Sequence, residues 1–307
     1  MSGGLWYHAR ITNWHPRPLA GRLECLGDLL LLEPDEQATV APGSTTANLS
    51  FSPQLTCGQV NPPSPSELVP AVCDLLSFAS RRAVSFETDQ MWWAGRDHAN
   101  RGGQGERGPV EQASELQVLI EKAVPILLDQ GQEQKTNLHA GLRWFLNWPE
   151  GNFVELRYIV LWIVLEMLAK AYWRQQPKAP TKDARKVEGY LQHIGVPCLV
   201  CIPVDALCCA RNTLVHGDPS AAYGQMWDLF GPWVQHADRI GRMLMGCMEL
   251  GASQSPMSRD PNSEYNAALN AACQFLSRVL EKVFLSQWGC QSLGFYKTAQ
   301  YLNTFAP

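Results

Sequence analysis

Residues Cys208–Pro219 read CCARNTLVHGDP, and their reading decides how the larger part of the chain is built. Leu207, Ala210, Leu214 and Val215 recur at helical spacing, and Gly217-Asp218-Pro219 stops the run. The stretch is the end of a helix. Moving outward, the same periodicity predicts helices over Glu115–Asp129, Thr136–Trp148, Asn152–Gln176, Lys182–His193, Pro203–His216, Gly224–Leu250 and Ser263–Gln287. The helix over Gly224–Leu250 is expected to kink or split at Gly231-Pro232. Residues 115–307 are thus expected to form an all-α bundle with short connections and a C-terminal tail.

The chain before Glu115 has a different grain. Over residues 1–95 short apolar stretches are broken by Pro, Gly and Ser, as strands and turns are. A helix over Glu67–Ser80 and a strand pair over Ala83–Trp93 interrupt that pattern. Residues 96–114 are glycine-rich and charged and read as a linker. The expected class is α+β: a β-rich N-terminal domain, a linker, and an all-α domain. Trp92-Trp93 reads as an edge of the N-terminal core, because Trp is largely buried on average.

Composition narrows the classes of function. Hydrophobic residues at 46% and charged ones at 18% describe a globular chain. A net charge of −4 argues against nonspecific coating of nucleic acid, yet leaves room for a local basic groove. Such a stretch exists. Lys170, Arg174, Lys178, Lys182, Arg185 and Lys186 stand against Asp183 alone, so these residues carry +5 and the rest of the chain −9. A phosphate backbone or a solvated loop both suit it. The ten cysteines form no disulfide framework, and nothing resembles a secretory leader, so free thiols in a cytoplasmic protein are expected. Cys198-Leu-Val-Cys201 has zinc-knuckle spacing without a second ligand pair, so no metal is expected. Tyr158–Ala169 is apolar but too short for a membrane span and carries Glu166. A buried carboxylate needs a partner, and Arg211 or Arg157 is the expected one.

Within the opening stretch, Arg211, Asn212 and His216 are a minimal set for metal-free cleavage of an RNA phosphodiester. Arginine holds phosphate oxygens with a planar fork that is never deprotonated. Histidine both takes and gives a proton near neutrality. Asn212 and His216 are four apart and share a helix face, so Asn212 is placed to orient the imidazole. The Arg-x4-His spacing alone proves little: Arg10 and His15 repeat it, but Pro16 and Pro18 follow at once in a strand-and-loop neighbourhood. His139, His193 and His236 have no such pattern around them and read as ordinary histidines. Walker A, GxSxG and HExxH signatures are absent.

With Arg211-Asn212-x3-His216 preceded by the long apolar helix LRYIVLWIVLEMLAKAYW and its embedded Glu166, residues 115–250 resemble a HEPN domain. That is a helical fold whose ribonuclease members carry Arg-x4–6-His. A β-rich domain in front is similar in architecture to ApeA-like anti-phage defence proteins. The resemblance implies a homodimeric, metal-independent endoribonuclease without a cofactor, of toxin or defence type, restrained or triggered through its N-terminal domain. Arg211 would steady the charged phosphorane, His216 would transfer protons, and Asn212 would position His216 or phosphate. The residues themselves add Glu166 as a supporting group, with a structural role preferred to a catalytic one, and the basic stretch as an RNA contact or a solvated loop. On an ideal helix Arg211 and His216 lie about 140° apart, so a cleft shared by two copies, or a distorted helix end, would let both reach one phosphate. The alternatives are a non-catalytic HEPN module that binds RNA or a nucleotide or mediates dimerisation, and a helical interaction protein.

Overall fold

A computed structural model describes residues 7–12, 22–34, 46–52, 54–55, 63–80, 84–87, 92–93, 109–110, 112–129, 133–146, 154–195, 204–246 and 261–293. The described residues form six strands and eight helices: β1 Tyr7–Thr12, β2 Leu23–Cys25, β3 Leu30–Pro34, β4 Thr46–Phe51, α1 Pro65–Ser80, β5 Ser85–Glu87, β6 Trp92–Trp93, α2 Ala113–Leu128, α3 Glu133–Leu146, α4 Val154–Arg174, α5 Asp183–His193, α6 Val204–Val215, α7 Pro219–Gly246 and α8 Pro261–Gln287. The class is α+β. The chain divides into two compact units, Met1–Glu150 with Phe284–Lys297, and Gly151–Val283 with Thr298–Pro307.

The first unit is built on one antiparallel sheet of order β2-β3-β4-β1-β5-β6. Its register puts buried side chains opposite one another from strand to strand: Leu23, Leu32, Leu49 and Ala9 form one row, and Ala47, Ile11 and Phe86 another. Alternation with exposed Glu24, Asn48 and Arg10 sets which face is covered. Helices α1 and α2 pack on this sheet, and α3 packs on both. Here the expected boundary at 114/115 moves. Phe78 of α1 meets Phe145 of α3 and Trp288 at ring-centroid distances of 6.2 and 5.1 Å. Aromatic packing against α1 therefore places α3, and packing on α1 and β2 places α2, in the unit of the sheet, although their helical period alone groups them with the later helices.

Helix starts follow cap chemistry. At α1 the Ser64 backbone N–H and hydroxyl both donate to Glu67 Oε2, at 2.9 and 2.7 Å, with Pro65 as the first helical residue. At α2 the Gln112 N–H donates to Glu115 Oε2 at 3.1 Å.

The second unit is helical. Tyr158, Trp162, Val164 and Leu165 of α4 are fully or almost fully buried, along with Val187, Tyr190 and Leu191 of α5 and Leu207 and Ala210 of α6. On α7 and α8, Phe230 and Phe275 meet at 6.0 Å. α7 departs from expectation: it begins at Pro219 rather than Gly224 and is unbroken through Pro232. Asp218 caps its first turn, accepting from the Ala221 N–H at 3.0 Å. Ala222, Met226 and Phe230 are buried on the turns that lead up to the Gly231-Pro232 step, where the proline donor is missing. No helix among the described residues is long and apolar enough to cross a membrane.

Candidate functional site

The site is assembled on α4. Tyr158, Trp162, Glu166 and Lys170 recur every fourth residue, so they form one stripe along the helix. Tyr158 is fully buried and its hydroxyl donates to the Leu207 carbonyl at 2.8 Å, tying α6 to α4. Burial pushes the Tyr158 phenol well above its usual range, so it acts as a neutral donor. One turn further, the Trp162 indole N–H donates to Glu166 Oε1 at 3.2 Å.

Glu166 is the hub. Its residue exposure is 8%, and the Arg211 Nη2 group of α6 donates to its Oε1. Lys170 Nζ lies 3.7 Å from Oε2, and its own closer partner is Asp183 Oδ2 at 3.1 Å. Lys186 Nζ donates to Asp183 Oδ1 at 2.9 Å. This Lys186 bond, together with Lys170, holds the Asp183 carboxyl below the usual aspartate range, against the opposing effect of burial. The result is an ion chain from α6 through α4 to α5: Arg211, Glu166, Lys170, Asp183, Lys186. Of the two arginines expected to meet Glu166, the structure brings Arg211. Its Nε is buried with no hydrogen-bond partner among the described residues. The guanidinium therefore spends one donor on Glu166 and keeps others unspent.

His216 stands at the end of α6 in a Schellman cap. Gly217 has φ +80°, its N–H donates to the Leu214 carbonyl at 3.1 Å, and the Asp218 N–H donates to the Thr213 carbonyl at 3.1 Å. Gly217, Asp218 and Pro219 each have one task here: the left-handed turn, the cap of α7 and its first residue. His216 is the cap residue itself, exposed, with its backbone N–H still bonded to the Asn212 carbonyl at 2.9 Å. Its imidazole makes no hydrogen bond or ion pair with any described residue.

Asn212 does not orient His216. Its amide points back along α6 to the Cys208 sulfur at 4.0 Å, a weak contact, and its side chain is exposed. No hydrogen bond joins His216 to Arg211 either, so the bonded group within the single chain is Glu166 with Arg211. Desolvation raises the Cys208 thiol and outweighs the opposing pull of Arg211, which argues against a thiolate nucleophile beside the motif.

The basic stretch is more neutral in space than along the chain. Lys170 and Lys186 are paired as above, and Arg185 meets Glu188 and, at 3.5 Å, Asp205. Glu166, Glu188 and Asp205 all lie outside the counted window, which is why the sequence overstated the charge. Arg174 also has a partner. Lys178 and Lys182 are exposed and pair with no described carboxylate.

Among the described residues no group of three or more metal-ligating side chains is present. Cys198, Cys201, His15, Arg96, Arg101, Arg107 and the side chains of His236, Trp92 and Trp93 lie outside the described residues. Trp162, Tyr158 and Asp218 are parts of the site that motif reading missed; the four-residue spacing from Tyr158 to Lys170 was the signal that was available for the first two. Comparison with known proteins returned no matching family model, curated protein or solved structure.

Proposed function

We propose that this protein is a metal-independent endoribonuclease acting as a dimer through its helical unit. The observation that supports this most is the pairing of roles on α6. Arg211 is held by buried Glu166 with donors left over, and His216, just over one turn later, is solvent-exposed with its imidazole unengaged. Because no hydrogen bond joins the two side chains and an ideal helix sets them about 140° apart, the reactive cleft is assigned to two copies, each supplying both residues. In the reaction a 2′-hydroxyl loses its proton to one imidazole and its oxygen attacks the adjacent phosphorus. The P–O5′ bond breaks, and the departing oxygen takes a proton from a second imidazole. The products are a 2′,3′-cyclic phosphate and a 5′-hydroxyl. Arg211 stabilises the charge that builds on the phosphoryl oxygens. The test is cleavage of total tRNA and a mixed-sequence RNA in excess EDTA by wild type and His216→Ala. Cutting by wild type alone, with cyclic-phosphate ends, is expected; equal cutting by both removes His216 from the chemistry.

A second reading has its own observation. The Arg211 charge is already matched by Glu166, as in a pair that serves to join α6 to α4. On that reading the domain binds RNA or mediates dimerisation without cutting. Loss of the dimer in Arg211→Ala, with no cleavage by wild type, selects it.

A further inference from the structure

Tyr172, near the end of α4, stacks on His193, the last residue of α5, with ring centroids 4.6 Å apart and planes 29° from parallel. The same Tyr172 ring meets Trp173 edge-on at 5.2 Å and Tyr190 at 5.5 Å, so it is braced from two sides. Trp173 is fixed in turn: its indole donates to the Lys186 carbonyl at 2.8 Å, and a Cβ on Gly189 would lie 2.8 Å from its ring. Glycine at 189 is thus required for this close approach of α5 to α4. The cluster is rigid but not sealed. His193 is exposed, Tyr172 and Trp173 are half-exposed, and neither the Tyr172 hydroxyl nor the His193 ring nitrogens bond to any described residue. Between these helices runs the connection that carries exposed Lys178 and Lys182, the two lysines of the basic stretch that pair with no described carboxylate.

A braced, solvent-open aromatic stack, on helices whose connection carries two lysines that pair with no described carboxylate, has the composition of a single-stranded nucleic acid site: a ring on which an unpaired base stacks, and cations for phosphates further along the same strand. We propose that His193, backed by Tyr172, is a stacking site for one unpaired base of an RNA strand, with Lys178 and Lys182 contacting its backbone. This rests on the reading of RNA as substrate and adds where the strand lies and that it is single-stranded. A duplex does not fit the role, because its bases are already stacked on one another.

The experiment measures binding of a fluorescein-labelled, 12-nucleotide mixed-sequence RNA by anisotropy in EDTA. It uses the full chain carrying His216→Ala, so that cutting does not consume the probe. Adding His193→Ala is expected to weaken binding roughly 5- to 150-fold, the effect of losing one base stack. His193→Phe, which keeps a flat ring, should retain affinity. Lys178→Ala/Lys182→Ala should reduce the slope of log affinity against log salt by about 1.4, from two lost contacts to a single strand. A matching duplex should compete poorly. Equal binding by His193→Ala and its parent, or equal competition by the duplex, overturns the stacking site alone and leaves the nuclease reading intact. Absence of both RNA binding and RNA cleavage in the wild type overturns both.

Discussion

Glu166→Leu and Arg211→Met should differ in cost, although each removes one half of the same ion pair. With Arg211 gone, Glu166 keeps the Trp162 indole at 3.2 Å and Lys170 at 3.7 Å, so the carboxylate remains partly matched. With Glu166 gone, a guanidinium whose side chain is only 18% exposed loses its ion-pair partner, and the buried Trp162 N–H loses its acceptor. Removing one partner of a buried pair costs about 3–5 kcal/mol, and orphaning a buried donor about 1–3 kcal/mol. The partial exposure of the pair puts Glu166→Leu near the lower end, about 3 kcal/mol, and Arg211→Met at about 1–2 kcal/mol. At roughly 2–4 °C per kcal/mol for a unit of this size, the melting shifts are about 6–12 °C and about 2–8 °C. The double variant should cost less than the sum, since it leaves no uncompensated arginine. Thermal unfolding followed by circular dichroism at low and moderate salt gives all three values. If Glu166→Leu is no worse than Arg211→Met, or if the double variant is additive, Glu166 is not the hub of this unit.

Further expectations can be checked with the same variants. His216→Ala should change stability by less than about 0.5 kcal/mol, because the side chain is exposed and bonds to no described residue, while cleavage in EDTA is lost. Gly217→Ala should cost about 1 kcal/mol through its φ of +80°, and Asp218→Ala about 1 kcal/mol through the lost α7 cap; thermal melts separate both from the nuclease assay. Asp183 contributes a pH dependence of definite sign. Its folded carboxyl titrates below the unfolded value of about 3.9, so the unfolded chain binds more protons in that window. Its contribution is complete above that value and fades as pH falls through the folded one; Asp183→Asn should flatten the acid limb of a stability–pH curve below about pH 4. In the folded protein Cys209, exposed on α6, should react with iodoacetamide well before Cys25 and Cys273, whose thiols burial pushes up to about 12.

Much of the local structure was written in the order of the residues. Period and caps located α4, α5, α6 and α8 to within a few residues, since a buried stripe and a Gly or Pro stop are local properties. Glu166 in an apolar helix announced that it needed a cation, and Arg211 was one of two candidates named on that ground. Three matters were decided only in three dimensions. Helix α3 joined the unit of the sheet because Phe78, Phe145 and Trp288 pack together, and α2 because it packs on α1 and β2, contacts between residues far apart in the chain that no periodicity encodes. The +5 of the basic stretch shrank because Glu166, Glu188 and Asp205 arrive from outside it, and charge in space is set by which helices meet. Asn212 turned toward Cys208 while His216 became a helix cap, since being four residues apart permits contact on a helix without compelling it. Sequence alone thus determined which side chains have the chemistry to hold a phosphate and move a proton. Tertiary structure decided which of them are already committed to one another, because ion pairing and desolvation depend on distances of a few ångströms that only packing sets.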